Sequence, residues 1–81
     1  YVVYILYSEK LNKYYVGSTQ SIEERVRQHN LGEVHFTSRG IPWKLCYVEE
    51  LPDRTTAMKR EYEIKRKKSR KYIEWLISKS S

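Results

Sequence analysis

The chain has 81 residues, a formal net charge of +6 and a sequence pI near 9.5. This length predicts one domain, 1–81, and the single cysteine, Cys46 in an apolar run, excludes an internal disulfide and favours a buried thiol in a cytoplasmic protein. The charge predicts a polyanionic partner, nucleic acid before an anionic membrane, and no apolar run reaches the roughly 18–20 residues of a membrane span.

Two apolar runs at the start of the chain predict a β-hairpin. Residues 1–7 are β-branched and aromatic with no polar alternation, which indicates a strand covered on both faces. Residues 14–19 form the second strand, after a turn that contains Asn12. Gly17 inside this strand indicates a close backbone approach or a bend.

The register of this hairpin decides which side chains share a face. A two-residue turn at Lys10–Leu11 pairs Tyr4 with Gly17 and Leu6 with Tyr15. Tyr4 and Tyr15 then lie diagonally on one face, within reach of each other, and the missing side chain of Gly17 leaves room in front of Tyr4. The alternative is that both tyrosines are ordinary strand aromatics.

The segment 21–30 predicts a helix. Ser21 and Glu24 have the spacing of a capping box, and the apolar residues Ile22 and Val26 mark the buried face. Arg25 and His29 lie four residues apart, beside that face. Arginine can hold a phosphate with two hydrogen bonds and histidine can take a proton near neutral pH; the alternative is a solvated flank of the helix.

A loop and a third strand come next. The residues from 32 to 42 include two glycines and a proline without periodicity, which indicates a loop that is basic at Arg39. The residues from 43 to 51 predict a strand in which Leu45 and Tyr47 alternate with polar residues.

Glu61 is the anomaly of the second predicted helix, 54–67. It lies in a stripe whose other members are apolar: Ala57, Met58, Tyr62 and Ile64. A charge there is costly unless it is paired or binds a cation. The carboxylate could pair with Lys65 or Arg25, or it could bind a hard cation such as Mg²⁺.

The last third of the chain is strongly basic. A third helix begins after a cap at Ser69, with apolar residues at helical spacing. We expect a phosphate-binding surface that includes Arg39 and the basic residues around residue 67, although such a run can be only a solvated face. These basic residues are Lys65, Lys67, Lys68 and Arg70. Trp43 and Trp75 are interpreted as core anchors.

Four motifs in order resemble the GIY-YIG nuclease superfamily, in its small stand-alone bacterial branch. Residues 2–4, Val-Val-Tyr, stand in place of Gly-Ile-Tyr, and residues 15–17, Tyr-Val-Gly, in place of Tyr-Ile-Gly. Arg25 and His29 match the helix motif, and residues 57–65 match the segment that carries the metal-binding glutamate. Val2 departs from the name-giving glycine, and an asparagine that some members carry after the glutamate has no counterpart that we can place.

The resemblance implies an α/β sandwich with a small, three-stranded antiparallel sheet flanked by helices in the order β-β-α-β-α-α. It also implies hydrolysis of a DNA phosphodiester with Mg²⁺ or Mn²⁺ as cofactor. Glu61 would hold the metal and Arg25 would steady the phosphate. Tyr4 or Tyr15 would help to deprotonate water, and His29 would accept or relay the proton.

Three functions remain open at this point. The first is a structure-selective or weakly specific DNA nuclease, which we expect to be cytoplasmic, to act as a monomer or weak dimer and to have a role such as DNA repair. The second is a nucleic-acid-binding module with little or no cleavage. The third is the catalytic domain of a longer nuclease.

Overall fold

A computed structural model describes residues 1–80, so residue 81 of the predicted domain lies outside the described residues. The strands are β1 (Val2–Ser8), β2 (Lys13–Thr19) and β3 (Trp43–Glu50), and the α-helices are α1 (Ile22–Asn30), α2 (Arg54–Lys67) and α3 (Arg70–Ser80). A 3-10 helix, His35–Gly40, lies between α1 and β3, in a segment that the sequence predicts to be a loop. The predicted element order is confirmed.

The three strands form an antiparallel sheet in the order β2-β1-β3. The central strand β1 is covered on both faces, since Val3 and Ile5 are buried on one side and Tyr4 and Leu6 on the other. This explains why β1 is apolar without polar alternation. The expected α/β sandwich is therefore confirmed.

Two apolar clusters hold the layers together. On one face, Val3, Ile5 and Val16 pack with residues of α2 and α3, of which Ile64 and Leu76 are fully buried. On the other face, Tyr4, Leu6 and Trp43 pack with Tyr15 and with three aliphatic side chains, Ile22, Val26 and Ile41. The helix α1 thus covers one face of the sheet, and α2 and α3 cover the other.

The hairpin has the predicted register. Tyr4 pairs with Gly17, and Leu6 pairs with Tyr15. The predicted capping box is wrong, because the Ser21 side chain makes no cap hydrogen bond. The cap at Ser69 is confirmed, since its hydroxyl accepts a hydrogen bond from the Tyr72 backbone N–H at 3.1 Å.

The expected alternation of Leu45 and Tyr47 is wrong. The pairing of β3 with β1 shifts between Ile5 and Leu6, so Leu45 pairs with Leu6 while Tyr47 pairs with Ile5. This irregularity puts the two side chains on opposite faces, because neighbouring β1 residues face opposite ways. Leu45 is consequently exposed and Tyr47 is buried.

Four side chains are less buried than the sequence predicts. Met58, Tyr62 and Trp75 are exposed, and Cys46 is only half-buried. The buried stripe of α2 is narrower than expected and consists of Ala57 with residue 64. Trp43, in contrast, is a core anchor as predicted. Within residues 1–80, no helix is both long enough and apolar enough to cross a membrane.

Candidate active site

Two tyrosines form the base of the candidate site, on the α1 face of the sheet. The rings of Tyr4 and Tyr15 lie 6.4 Å apart, as the register predicts, with Tyr4 buried and Tyr15 half-buried. Gly17 makes room for the Tyr4 phenol, because a Cβ at Gly17 would lie 2.5 Å from the Tyr4 hydroxyl. The position of Tyr4 therefore requires a residue without a side chain at position 17, across the strand pair.

The helix α1 brings Arg25 and His29 to the Tyr4 hydroxyl. His29 is fully buried, and its Nε2 lies 3.0 Å from the Tyr4 hydroxyl oxygen. Arg25 is half-buried and donates an Nε–H hydrogen bond of 3.4 Å to the same oxygen. The phenol thus lies between a guanidinium and an imidazole that come from successive turns of one helix.

The hydrogen-bond partners fix the tautomer of His29. The Tyr4 oxygen accepts from Arg25, and its own proton needs an acceptor, which is Nε2 of His29. The other ring nitrogen, Nδ1, lies 2.7 Å from the Thr37 hydroxyl oxygen, and that hydroxyl can donate to the carbonyl of Val34 at 3.2 Å. His29 therefore carries its proton on Nδ1 and accepts from Tyr4 at Nε2.

The surroundings of both groups favour their neutral forms. Burial, and to a smaller extent the charge of Arg25, together lower the pKa of His29 from 6.5 to about 4. Burial also raises the pKa of Tyr4, against the opposing effect of the Arg25 hydrogen bond. The free protein at neutral pH thus holds a phenol hydrogen-bonded to a neutral imidazole.

Glu61 approaches from the opposite face of the sheet. It lies on α2 and accepts a 2.6 Å hydrogen bond from the hydroxyl of Ser18, whose neighbour in the strand is Gly17. Because β2 is an edge strand, a side chain of α2 can reach past it to the side of the tyrosines. The charge of Glu61 is close enough to contribute to the raised pKa of Tyr4.

The second carboxylate oxygen of Glu61 accepts from Lys65 at 2.6 Å, which is the i, i+4 ion pair that the sequence left open. The Glu61 side chain is 22% exposed. Its position is therefore the border of the apolar stripe, and the carboxylate remains open to solvent.

These residues fit one hard cation. Among the described residues, no three His, Cys, Asp or Glu side chains come together as a metal cage. Mg²⁺ commonly binds through one or two carboxylates, with water and phosphate oxygens as the remaining ligands. A single, partly exposed carboxylate beside the tyrosines is such a partial site, and a bound cation would displace Lys65 from it.

The predicted nucleic-acid-binding residues have different surroundings. Lys65, Lys68 and Arg70 line one cavity beside Tyr15. Lys67 instead lies over the Tyr72 ring, with 5.1 Å between its Nζ and the ring centroid. The remaining predicted residue, Arg39, is exposed on the 3-10 helix.

Arg70 has a structural role. Its guanidinium donates to the Asn12 carbonyl and side-chain oxygen at 2.8 Å each and pairs with Glu74 at 3.2 Å. It also lies over the ring of Tyr14. These contacts fasten the hairpin turn to α3.

Two polar residues of the site, Thr37 and Ser18, were not predicted from the sequence. Thr37 lies in a segment without periodicity, and only the docking of the 3-10 helix brings it to His29. Ser18 could have been found, because strand alternation places it on the face opposite Gly17, where α2 packs.

Comparison with known proteins gives matches over most of the chain. The family model described as the GIY-YIG catalytic domain matches residues 1–73. A UPF0213 protein of Bacillus cereus is 38% identical over 65 residues, which are 75% of this chain and 68% of that protein. A UPF0213 protein of Staphylococcus haemolyticus is 40% identical over 57 residues, which are 69% of this chain and 70% of that protein.

A third relative is much longer. The structure-specific endonuclease subunit slx1 of Schizosaccharomyces japonicus is 38% identical over 68 residues, which are 76% of this chain but 25% of that protein. No solved structure matches the chain significantly.

Proposed function

The chain belongs to the GIY-YIG family of nuclease domains, and we propose that it is a DNA endonuclease whose site consists of Tyr4, Tyr15, Arg25, His29 and Glu61. The observation that carries this proposal is the hydrogen-bonded chain from Arg25 through Tyr4 to His29 beside the partly exposed carboxylate of Glu61. That chain pairs a group that can bind a phosphate with a group that can accept a proton.

Arg25 is suited to bind the scissile phosphate. Its bond to Tyr4 is long, at 3.4 Å, so exchanging the phenol for a phosphate oxygen costs little and gains a charge-assisted hydrogen bond. The positive charge then stabilises the negative charge that develops on the phosphoryl oxygens. The departure of Arg25 also frees a lone pair of the Tyr4 oxygen.

Tyr4 and His29 together form the proton acceptor. Water gives its proton to the freed lone pair of Tyr4, while Tyr4 gives its own proton to Nε2 of His29. The two transfers occur together, because the raised pKa of Tyr4 disfavours a free phenolate. A bound phosphate raises the low pKa of His29 and so makes the imidazole a better base.

Tyr15 and Glu61 occupy the solvent side of this pair. Tyr15 is the more exposed phenol and can orient the water or the phosphate by a hydrogen bond. Glu61 would hold Mg²⁺ or Mn²⁺, which supplies charge neutralisation at the phosphate and the leaving group. Lys65, which pairs with Glu61 in the free protein, would then be available to a neighbouring phosphate.

A nucleic-acid-binding module is the second candidate. The ion pair of Glu61 with Lys65 favours it, since a carboxylate that only pairs with a lysine has no catalytic task. The structure-specific endonuclease subunit from fission yeast favours cleavage and suggests branched DNA as a substrate to test.

One experiment separates the two candidates. We expect the purified protein to cleave at least one of duplex, branched and single-stranded DNA in Mg²⁺, and to cleave none of them in a chelator. Glu61→Gln should lower the cleavage rate by at least ~10²-fold, while DNA affinity stays equal or rises because a negative charge is gone. Melting temperature, measured on the same samples, tests for a structural role.

Glu63→Gln is the matched control. Glu63 lies two residues away on α2, is exposed and pairs with Arg60 rather than with the site, so this variant should cleave normally. Normal cleavage by Glu61→Gln would overturn the metal-binding role. A wild-type protein that binds DNA but cleaves none of the substrates would overturn the endonuclease proposal.

A further inference from the structure

A cavity of about 470 Å³ lies beside the candidate active site, between the β-hairpin and the junction of α2 with α3. It is called the Phe36 cavity here. Its aromatic walls are Tyr14, Tyr15 and Phe36, and its basic residues include Lys13, Lys65 and Lys68. The volume falls in the ~300–1,000 Å³ range of sites that hold small molecules, so a nucleobase fits.

The cavity adjoins the active site through Tyr15 and Lys65. Tyr15 lines it and also faces His29, with 5.0 Å between the two ring centroids. Lys65 lines it and reaches both Glu61, at 2.6 Å, and the ring of Tyr15, at 5.9 Å. A nucleotide in the cavity would therefore neighbour a phosphate at Arg25 and Glu61.

The fold does not account for the position of Phe36. Phe36 is 86% exposed, the highest value among the exposed large apolar residues. Its only close ring partner among the described residues is Tyr15, at 6.3 Å between centroids. A phenyl ring left in water beside an active site is suited to stacking, which contributes affinity for any base because every base has a π-face.

The charge of the cavity matches a polyanionic strand. The residues that line it include four cations and no aspartate or glutamate. Arg70 is fastened to the hairpin turn, but Lys13 and Lys68 form no ion pair within residues 1–80. Both lysines are exposed, and they are free to hold the phosphates on either side of a bound base.

We infer that the Phe36 cavity binds one unpaired nucleobase of the substrate strand, stacked on Phe36 next to the scissile phosphate. This inference rests on the proposed function. It makes the preferred substrate a strand with at least one unpaired nucleotide near the cleavage point. A base inside a duplex is stacked and paired and cannot enter without first being extruded from the helix.

The test measures DNA binding in a chelator, so that cleavage does not enter. The probes are a blunt duplex of two annealed strands and the same duplex with a single-stranded overhang, both fluorescently labelled. Phe36→Ala should weaken binding of the overhang probe by roughly 5- to 100-fold and leave the blunt probe unchanged. Phe36→Trp should keep the affinity because it keeps a stacking surface.

Trp75→Ala is the matched control, since Trp75 is an exposed aromatic on α3 that does not line the cavity. It should bind both probes like the wild type. A set of overhang probes, each with one abasic position, should include one to which the wild type and Phe36→Ala bind equally, because the stacking partner is then missing from both sides.

Equal loss of affinity for both probes in Phe36→Ala, or no loss for either, would overturn the nucleobase site. Self-association that Phe36→Ala abolishes, without base dependence, would show instead that a second copy covers the cavity. Failure of the endonuclease proposal looks different: base-dependent binding persists, but no probe is cleaved in Mg²⁺.

Discussion

At the scale of single residues, the site depends on which nitrogen of His29 carries the proton. The imidazole lies between two hydroxyls, those of Tyr4 and Thr37. If the proton were on Nε2, the Tyr4 hydroxyl would receive hydrogen bonds from two donors and its own buried proton would lack an acceptor. Thr37 therefore acts on Tyr4 through His29, as a positioning residue.

Thr37→Val tests this role with little change of shape. The valine cannot accept the Nδ1–H, so both tautomers of His29 should become populated, and cleavage should fall by roughly 10- to 100-fold, as for other groups that orient a functional histidine. Nitrogen-15 NMR of the His29 ring reads the tautomer directly. Thr37→Ser keeps a hydroxyl and should keep both the single tautomer and the rate.

A Thr37→Val protein that retains a single Nδ1–H tautomer would contradict the assignment. A lower melting temperature alone would not support it, because any unsatisfied buried N–H costs roughly 1–3 kcal/mol.

At the scale of elements, the strand β2 contributes residues to the candidate site from both faces of the sheet. Tyr15 and Gly17 face α1, while Ser18 faces α2 and contacts Glu61. In a central strand, a neighbouring strand would stand between these faces. The edge position of β2 lets the tyrosines from one layer and the carboxylate from another approach the same substrate.

Gly17→Ala tests the close approach of β2 to Tyr4. The new Cβ would lie 2.5 Å from the Tyr4 hydroxyl and 2.6 Å from the ring carbon that bears it. The ring must shift away from His29, and we expect cleavage to fall by roughly 10²-fold, as for the loss of a general acid–base group. Cleavage rate and melting temperature should be measured together.

Gly32→Ala is the control for this variant. Gly32 has φ of +78°, so an alanine there strains the backbone, but its nearest contact is Ile41 at 3.7 Å, away from the tyrosines. The control should lose stability and keep its cleavage rate. The same pattern in Gly17→Ala would show that Gly17 has no role at the site.

At the scale of the whole molecule, the cations behind the net charge of +6 have different roles. Several cations serve the fold: Arg60 pairs with Glu49 and Glu63, and Arg70 fastens the hairpin turn. Lys68 is exposed at the cavity and, within residues 1–80, forms no ion pair. The positive surface near the active site therefore depends on few side chains.

Lys68→Gln should weaken binding to all DNA sequences alike. It should also reduce the slope of log affinity against log salt by about 1, because one phosphate contact and its released counterion are lost. Lys79→Gln removes an equal charge from the far end of α3, where the ammonium lies over Trp75, and should leave the slope unchanged. Equal slopes in both variants would mean that Lys68 is only solvated.

The stability of the molecule should depend on pH through His29. Its pKa is about 4 in the folded protein against 6.5 for the free side chain, so between these values the unfolded chain binds more protons. The stability that comes from the depressed pKa of His29 is fully present above pH 6.5 and is lost as the pH falls. We expect the free energy of unfolding to decrease by about 2 kcal/mol between pH 7 and pH 5.

Urea unfolding at pH 7, 6 and 5 measures this effect above the range in which most carboxylates titrate. His29→Gln removes the titrating group and should show a flatter pH dependence than the wild type. An equally steep dependence in the variant would assign the effect to other groups.

The sequence by itself determined the elements and the hairpin register. A turn centred on Lys10–Leu11 sets the pairing of the two strands, and in that pairing Tyr4 and Tyr15 share a face. The positions of Arg25 and His29 on one side of α1 follow from helical periodicity alone. The motifs from residues 2 to 65 were sufficient for the family, which the match over residues 1–73 shows.

Only the tertiary structure decided how these elements meet. No local pattern predicts that the 3-10 helix docks Thr37 on His29, or that Glu61 reaches Ser18 past an edge strand. The irregular pairing of β3 exposes Leu45, and Trp75 points outward. Both features likewise depend on how all the layers pack together. Periodicity predicts what faces inward from one element; the partner that it contacts depends on the packing of all the others.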